Sequence, residues 1–187
     1  MMTRMKLDVL PSADPPSTNP WYTAGLRFAC TQCGNCCTGG PGYVWISKEE
    51  VTRLADFLKL SPRQVLSRYC RKIGQRWSLK ERRMPNGNYD CVFLEELPAP
   101  EASKGKQLAP GDRIPLKRRS CAIYPVRPLQ CRTWPFWDTN LSDSKKWDFA
   151  SRKCPGMNNG TRTFTKEQIE SLRDARDWPS ASLTCEQ

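Results

Sequence analysis

The stretch that decides the fold is Cys30-Thr31-Gln32-Cys33-Gly34-Asn35-Cys36-Cys37. A C-x-x-C loop lets two thiolates converge on one metal while backbone amides point at the sulfurs, and Gly34 permits the tight turn. A third cysteine after another two residues makes the run by which bacterial ferredoxins hold a [4Fe–4S] cluster. Side chains of adjacent residues are expected to diverge, so of Cys36 and Cys37 one should turn to a second site or a different remote partner. Remote ligands are then required, and the candidates are Cys91, Cys121, Cys131 and Cys154. Cys154 precedes Pro155, as the distal ligand of ferredoxins precedes a proline. Cys70 is expected on the apolar side of a helix and Cys185 in the C-terminal tail, and both are read as small buried or idle thiols.

Composition points the same way. The 187 residues are enough for one domain, but hydrophobic residues make up only 38%, and 16 prolines and 11 glycines interrupt the chain. Such a thin core needs a staple, and a structural metal supplies roughly 10–16 kcal/mol of apparent binding energy to folding. There is no histidine. That excludes Ser-His-Asp and Cys-His catalysis, H-E-x-x-H zinc proteases and haem held on histidine, and no catalytic residue is assigned. Apolar runs such as Tyr43–Ile46 fall far short of the roughly 18 residues of a membrane span. Met1–Leu10 carries Arg4 and Lys6 without an apolar region behind them, so a disordered leader is expected and not a signal peptide. A cytoplasmic protein follows, with reduced thiols that serve metals before disulfides.

The expected fold is a small, irregular, metal-stapled α+β domain with about three short helices and a β-hairpin. Ser47-Lys48-Glu49-Glu50 is a capping box, and Val51, Leu54, Ala55 and Leu58 then recur on one helical face. Ser61-Pro62-Arg63-Gln64 repeats the start signal before a stripe of Val65, Leu66, Tyr69 and Ile73, with Gly74 as the stop. Thr165-Lys166-Glu167-Gln168 caps a last helix bearing Ile169, Leu172 and Ala175, which ends before Trp178-Pro179. Tyr43–Ile46 reads as a short strand, and Trp77–Arg82 and Tyr89–Leu94 as a hairpin around Asn86-Gly87. From Cys121 to Trp137 short turns at most are expected. Residues 1–24 read as a leader, 25–178 as the cysteine-cluster domain with a flexible insertion at 95–112, and 179–187 as a tail.

With those residues in place, the chain resembles the YkgJ-type cysteine-cluster family of zinc- or iron-chelating domains, marked by C-x-x-C-x-x-C-C. The resemblance is carried by Phe28–Cys37, Cys91-Val92-Phe93-Leu94, Cys121-Ala122-Ile123-Tyr124, Arg127–Arg132 with Trp134-Pro135-Phe136, and Cys154-Pro155-Gly156. It implies an eight-cysteine ligand set of Cys30, Cys33, Cys36, Cys37, Cys91, Cys121, Cys131 and Cys154. A departure is the insertion at 95–112 with basic Arg113–Arg119, which lengthens the gap between Cys91 and Cys121. A similar cysteine pattern occurs in flagellin lysine methylases, but no Gly-rich nucleotide loop follows a strand here, and methylation is not carried over.

Eight thiolates could make two four-cysteine zinc sites, or a [4Fe–4S] cluster with a second site. The ferredoxin-like run and the missing histidine argue for iron–sulfur, with closed Zn2+ sites as the alternative. Two zinc sites would add eight negative and four positive charges to the formal +11, giving 11 − 8 + 4 = +7. Arg127 and Arg132 flank Cys131, where their guanidinium donors could hydrogen-bond the sulfurs or else pair with surface carboxylates. Residues 63–83 carry eight cations and one anion, with Tyr69 and Trp77 interleaved. Three functions follow: a metal centre used in electron transfer or metal handling, a zinc-stapled module binding nucleic acid or an acidic protein, or a component of a methyltransferase-like or redox enzyme.

Overall fold

The computed structural model describes residues 19–97 and 119–176. These residues form six α-helices, two single-turn 3-10 helices and four small antiparallel sheets. The chain is α+β as expected, with more helices and more short strands than the sequence announces.

Strand β1 (Leu26–Arg27) is followed by the cysteine run, in which Asn35–Cys37 forms a 3-10 turn leading into β2 (Thr38–Gly39). After β3 (Trp45–Ile46), helix α1 (Lys48–Leu58) starts at Ser47 with both halves of its capping box formed. Helix α2 (Pro62–Tyr69) starts the same way at Ser61. It ends at Tyr69, where the chain turns extended into β4 (Cys70–Ile73) and pairs with β5 (Arg76–Leu79). Cys70 therefore sits at a helix end and not on its apolar stripe, and Gly74 (φ 55°) turns a hairpin instead of stopping the helix. The expected hairpin is narrower than the apolar pattern suggested: β6 (Glu81–Arg83) pairs with β7 (Tyr89–Cys91), while β5 lies between β3 and β4.

Strands β8 (Leu94–Glu96) and β9 (Arg119–Cys121) pair with each other, so the two ends of the long Cys91–Cys121 segment meet. The remainder of the insertion, Arg113, Lys117, Arg118, Trp178, Cys185 and the leader before Asn19 lie outside the described residues. Beyond β9 come a 3-10 turn at Tyr124–Val126 and helices α3 (Leu129–Arg132), α4 (Asp138–Leu141) and α5 (Ser144–Ser151). Strand β10 (Thr163–Phe164) returns to pair with β1, and α6 (Lys166–Asp174) starts from its capping box at Thr165. Helix α5 has no apolar stripe and buries only Trp147, which is why its period does not register in the sequence.

Apolar side chains collect in two separate cores. The first joins α1, α2 and the β3-β5-β4 sheet through Ile46, Val51, Leu54, Val65, Leu79, Phe93 and Ile123. The second joins β1, α4, α5 and α6 through Tyr22, Phe28, Phe136, Trp147, Met157 and Ile169. Residues 20–24, left within the leader by the sequence, contribute to it: Tyr22 is 4% exposed, and Trp21 Nε1 donates to the Leu141 carbonyl at 2.8 Å. Tyr69 and Trp77 pack against the first core, with the Tyr69 ring 4.7 Å from Phe93, so they do not form an exposed aromatic face. No described helix is long and apolar enough to cross a membrane.

Candidate metal centre

The two cores meet at a cavity of about 60 Å³, and all eight cysteines singled out in the sequence line it. Cys91 and Cys121 reach it from the first core and Cys154 from the second. Cys70 lies away from it, buried in the first core. The nine described cysteines are free thiols.

Each wall is fixed by local hydrogen bonding. In the knuckle, Gln32 and Gly34 both take left-handed backbone (φ 55° and 72°), and the Cys37 amide donates to the Gly34 carbonyl at 3.0 Å. A Cβ at Gly34 would stand 2.6 Å from Leu94 Cδ1 and 3.2 Å from Arg119 Cβ, and with the left-handed backbone there this favours glycine beneath the β8–β9 pair. Asn35 clamps the turn from both sides: its Nδ2 donates to the Lys153 carbonyl at 2.8 Å, and its Oδ1 accepts from Arg119 at 2.7 Å. Cys91 is set opposite the knuckle by β2–β7 pairing, which Thr38 reinforces by donating to the Asp90 carboxylate. Cys154 is brought beside Cys30 because Gly156 packs against the backbone of Ala29, where a Cβ would lie 2.0 Å from the carbonyl oxygen.

Cys131 rides on the four-residue helix α3, whose position depends on two buried polar side chains that the sequence reading missed. Glu50 completes the capping box of α1 and also accepts from the Leu129 amide at 2.6 Å. Gln130 acts as a side-chain strand partner for β3: its Oε1 accepts from the Trp45 amide at 2.8 Å and its Nε2 donates to the Tyr43 carbonyl at 3.1 Å. The signal for Glu50 was present in its capping box. Nothing marks Gln130, whose role depends on a strand 85 residues away.

The sulfurs ring the cavity and do not close on one point. Among the described residues, no three Cys, Asp or Glu side chains are drawn tightly enough together to surround a single ion. Cys36 and Cys37 come within hydrogen-bond reach of each other, with Sγ atoms 3.8 Å apart. This corrects the expected divergence of adjacent side chains, because the 3-10 turn brings both sulfurs to the same side. Thiol acidities follow burial and mutual repulsion. Burial pushes Cys131 well above the ordinary thiol range, and facing Cys91, Cys36 and Cys121 add to it against Arg127. Burial lifts Cys91 to about 11 and also raises Cys121. The hydrogen bond from Cys37 lowers Cys36 to about 7 and raises Cys37 in turn. Such a thiol-lined cavity is poised to exchange protons for a cation.

The flanking arginines part company. Arg127 lines the cavity, with its guanidinium 3.8 Å over the Tyr124 ring and its Nε buried without a hydrogen-bond partner. Arg132 points away, exposed, and pairs with Glu50 at 3.7 Å, so it takes the surface role. Trp134 Nε1, also on the cavity wall, is buried with no partner of hydrogen-bond length, although its N–H opposes the upward push of burial on Cys154. Two buried N–H donors without a hydrogen-bond partner, on residues that line a ring of sulfurs, fit a group that turns thiols into thiolates, because thiolates could accept them. The donor set is all sulfur, which suits zinc or iron and not hard cations such as magnesium or calcium.

Residues 29–155 match the CxxCxxCC family, described as a "putative zinc- or iron-chelating domain". The chain belongs to this family. The match takes in all eight cavity cysteines, from Cys30 to Cys154. The chain is also similar to uncharacterized protein MJ0661 of Methanocaldococcus jannaschii, at 30% identity over 116 residues, 62% of this chain and 48% of the relative. It thus spans about half the length of that curated relative. No solved structure matches it.

Proposed function

We propose that the protein works through a cysteine-only metal centre held by Cys30, Cys33, Cys36, Cys37, Cys91, Cys121, Cys131 and Cys154, in electron transfer or metal handling. The observation that carries this reading is that eight cysteines from five separate chain segments open onto one cavity between two cores. A polynuclear iron–sulfur centre suits sulfurs that stand around a shared space, together with the C-x-x-C-x-x-C run. When bound, such a cluster supplies one-electron redox chemistry.

The chain's own residues tune the site. Arg127 and Trp134 present N–H donors to the sulfur ring, which would raise a cluster's potential by stabilising its more reduced, more negative state. Ile123, Pro128 and Leu79 keep one side dry, while Cys30 and Cys36 are exposed at the mouth. Exposed ligands give an ion direct access to the site and shorten the path of an electron to another molecule. Nine free thiols fit a reducing compartment such as the cytoplasm.

A second reading has its own support. Thiolates about 2.3 Å from zinc in a tetrahedron stand ~3.8 Å apart, and Cys36 and Cys37 have that spacing. Purification without oxygen, followed by metal analysis and a visible spectrum, separates the two. Brown protein with iron and acid-labile sulfide is expected. Colourless protein holding zinc at about two per chain would replace the cluster with zinc sites, and protein holding neither metal would overturn the proposal.

A further inference from the structure

We propose that the outward face of α5 is a docking surface for an acidic protein partner, seated at the rim of the metal centre. The helix buries Trp147 at 2% exposure and turns Phe149 the opposite way, 61% exposed, more than any other large apolar side chain among the described residues. Positions 145, 146, 149 and 152 share one helical face. Lys145, Lys146 and Arg152 thus surround Phe149, with the Arg152 guanidinium 5.9 Å from its ring, and Lys153 follows directly. All four cations are exposed, and among the described residues none of them forms an ion pair. Of the two carboxylates nearby, Asp143 caps the helix by accepting from the Lys146 amide at 2.9 Å, and Asp148 borders the face.

An aromatic anchor ringed by cations matches a common pattern of protein recognition, in which the ring fills an apolar pocket and the charges steer and orient the partner. Its complement is an apolar pocket rimmed by Asp and Glu. A single strand of nucleic acid fits less well: Arg152 lies over one face of the ring, and the other aromatic of α5, Trp147, is buried and offers no face to a successive base. The position gives the surface its use. The Lys153 carbonyl is held by Asn35 of the knuckle, and the next residue, Cys154, is on the cavity wall. A partner bound to α5 is therefore beside the metal centre, whichever metal the cavity takes.

The test uses the full chain as purified with its metal, titrated by fluorescence anisotropy near physiological salt. The probes are a labelled helical peptide of glutamates with two leucines on one face, a glutamate-only peptide of equal charge, and an oligouridylate of similar length. The leucine-bearing peptide should bind best. Phe149→Ala should weaken it at least tenfold and Lys145→Glu with Lys146→Glu should abolish it, with circular dichroism and metal content unchanged. The proposal is overturned by variants that bind like the parent, by no binding at millimolar peptide, or by preference for the oligouridylate.

Discussion

Cys70 and Cys131 are both cysteines packed into the interior, yet their surroundings give them different work. Cys70 is 3% exposed in the first core, with no other cysteine among the groups acting on it, and burial lifts its thiol to about 11 against the pull of Lys80. In the unfolded chain the same thiol ionises near 9. A group that is harder to ionise when folded stabilises the fold fully below the unfolded value and loses that contribution as pH rises to the folded one. Stability should therefore fall between about pH 9 and 11 by more in the parent than in Cys70→Ala, measured as urea midpoints across that range. Parallel curves would contradict the assignment. Single residues were unevenly legible. The run Cys30–Cys37 announced itself because tight spacing of a reactive residue type has few other uses, whereas Cys70 was set apart by an expected place on the apolar side of a helix and is buried in the first core at that helix's end. That Arg127 lines the cavity while Arg132 pairs with Glu50 was not readable, since Arg127 follows the Tyr124–Val126 turn and Arg132 ends α3, and the packing of each decides its direction.

Elements were legible where their signal is local. Helices α1, α2 and α6 each open with a complete capping box, a four-residue chemistry that needs no tertiary context. Helices α3 and α4 have four residues each, and β1, β2, β3 and β10 only two, too short for any period to appear. Their order comes from long-range contacts of the kind Gln130 makes. Gln130→Ala removes both of its bonds to β3 and leaves the Trp45 amide and Tyr43 carbonyl unpaired in a half-buried site. A loss of about 1–3 kcal/mol is expected, because the unpaired groups bear their desolvation cost. Denaturant unfolding checks it, and Gln130→Glu should restore the bond to the Trp45 amide but not the one to Tyr43. A Gln130→Ala protein as stable as the parent would mean that α3 is held by Glu50 and packing alone.

At the scale of the molecule, the described residues build two small cores joined where the sulfurs meet. Neither core is large, and the wall between them is lined with thiols that disfavour ionisation of their neighbours: Cys36 and Cys121 raise Cys91, and Cys91, Cys36 and Cys121 together raise Cys131. A bound metal reverses that sign, turning mutual repulsion into shared attraction, and so links the cores. The seam was not legible in the sequence, because the second core is assembled from residues 22–28 and 134–172, on either side of the 44–126 stretch that builds the first, with no linker to mark the boundary. The most direct test of the account is the metal content of Cys131→Ser against Cys70→Ala, each purified anaerobically beside the parent. Cys70→Ala is expected to keep the parent's metal per chain, while Cys131→Ser loses half or more of it. Equal metal in all three proteins would contradict the claim that the eight cavity cysteines form one centre.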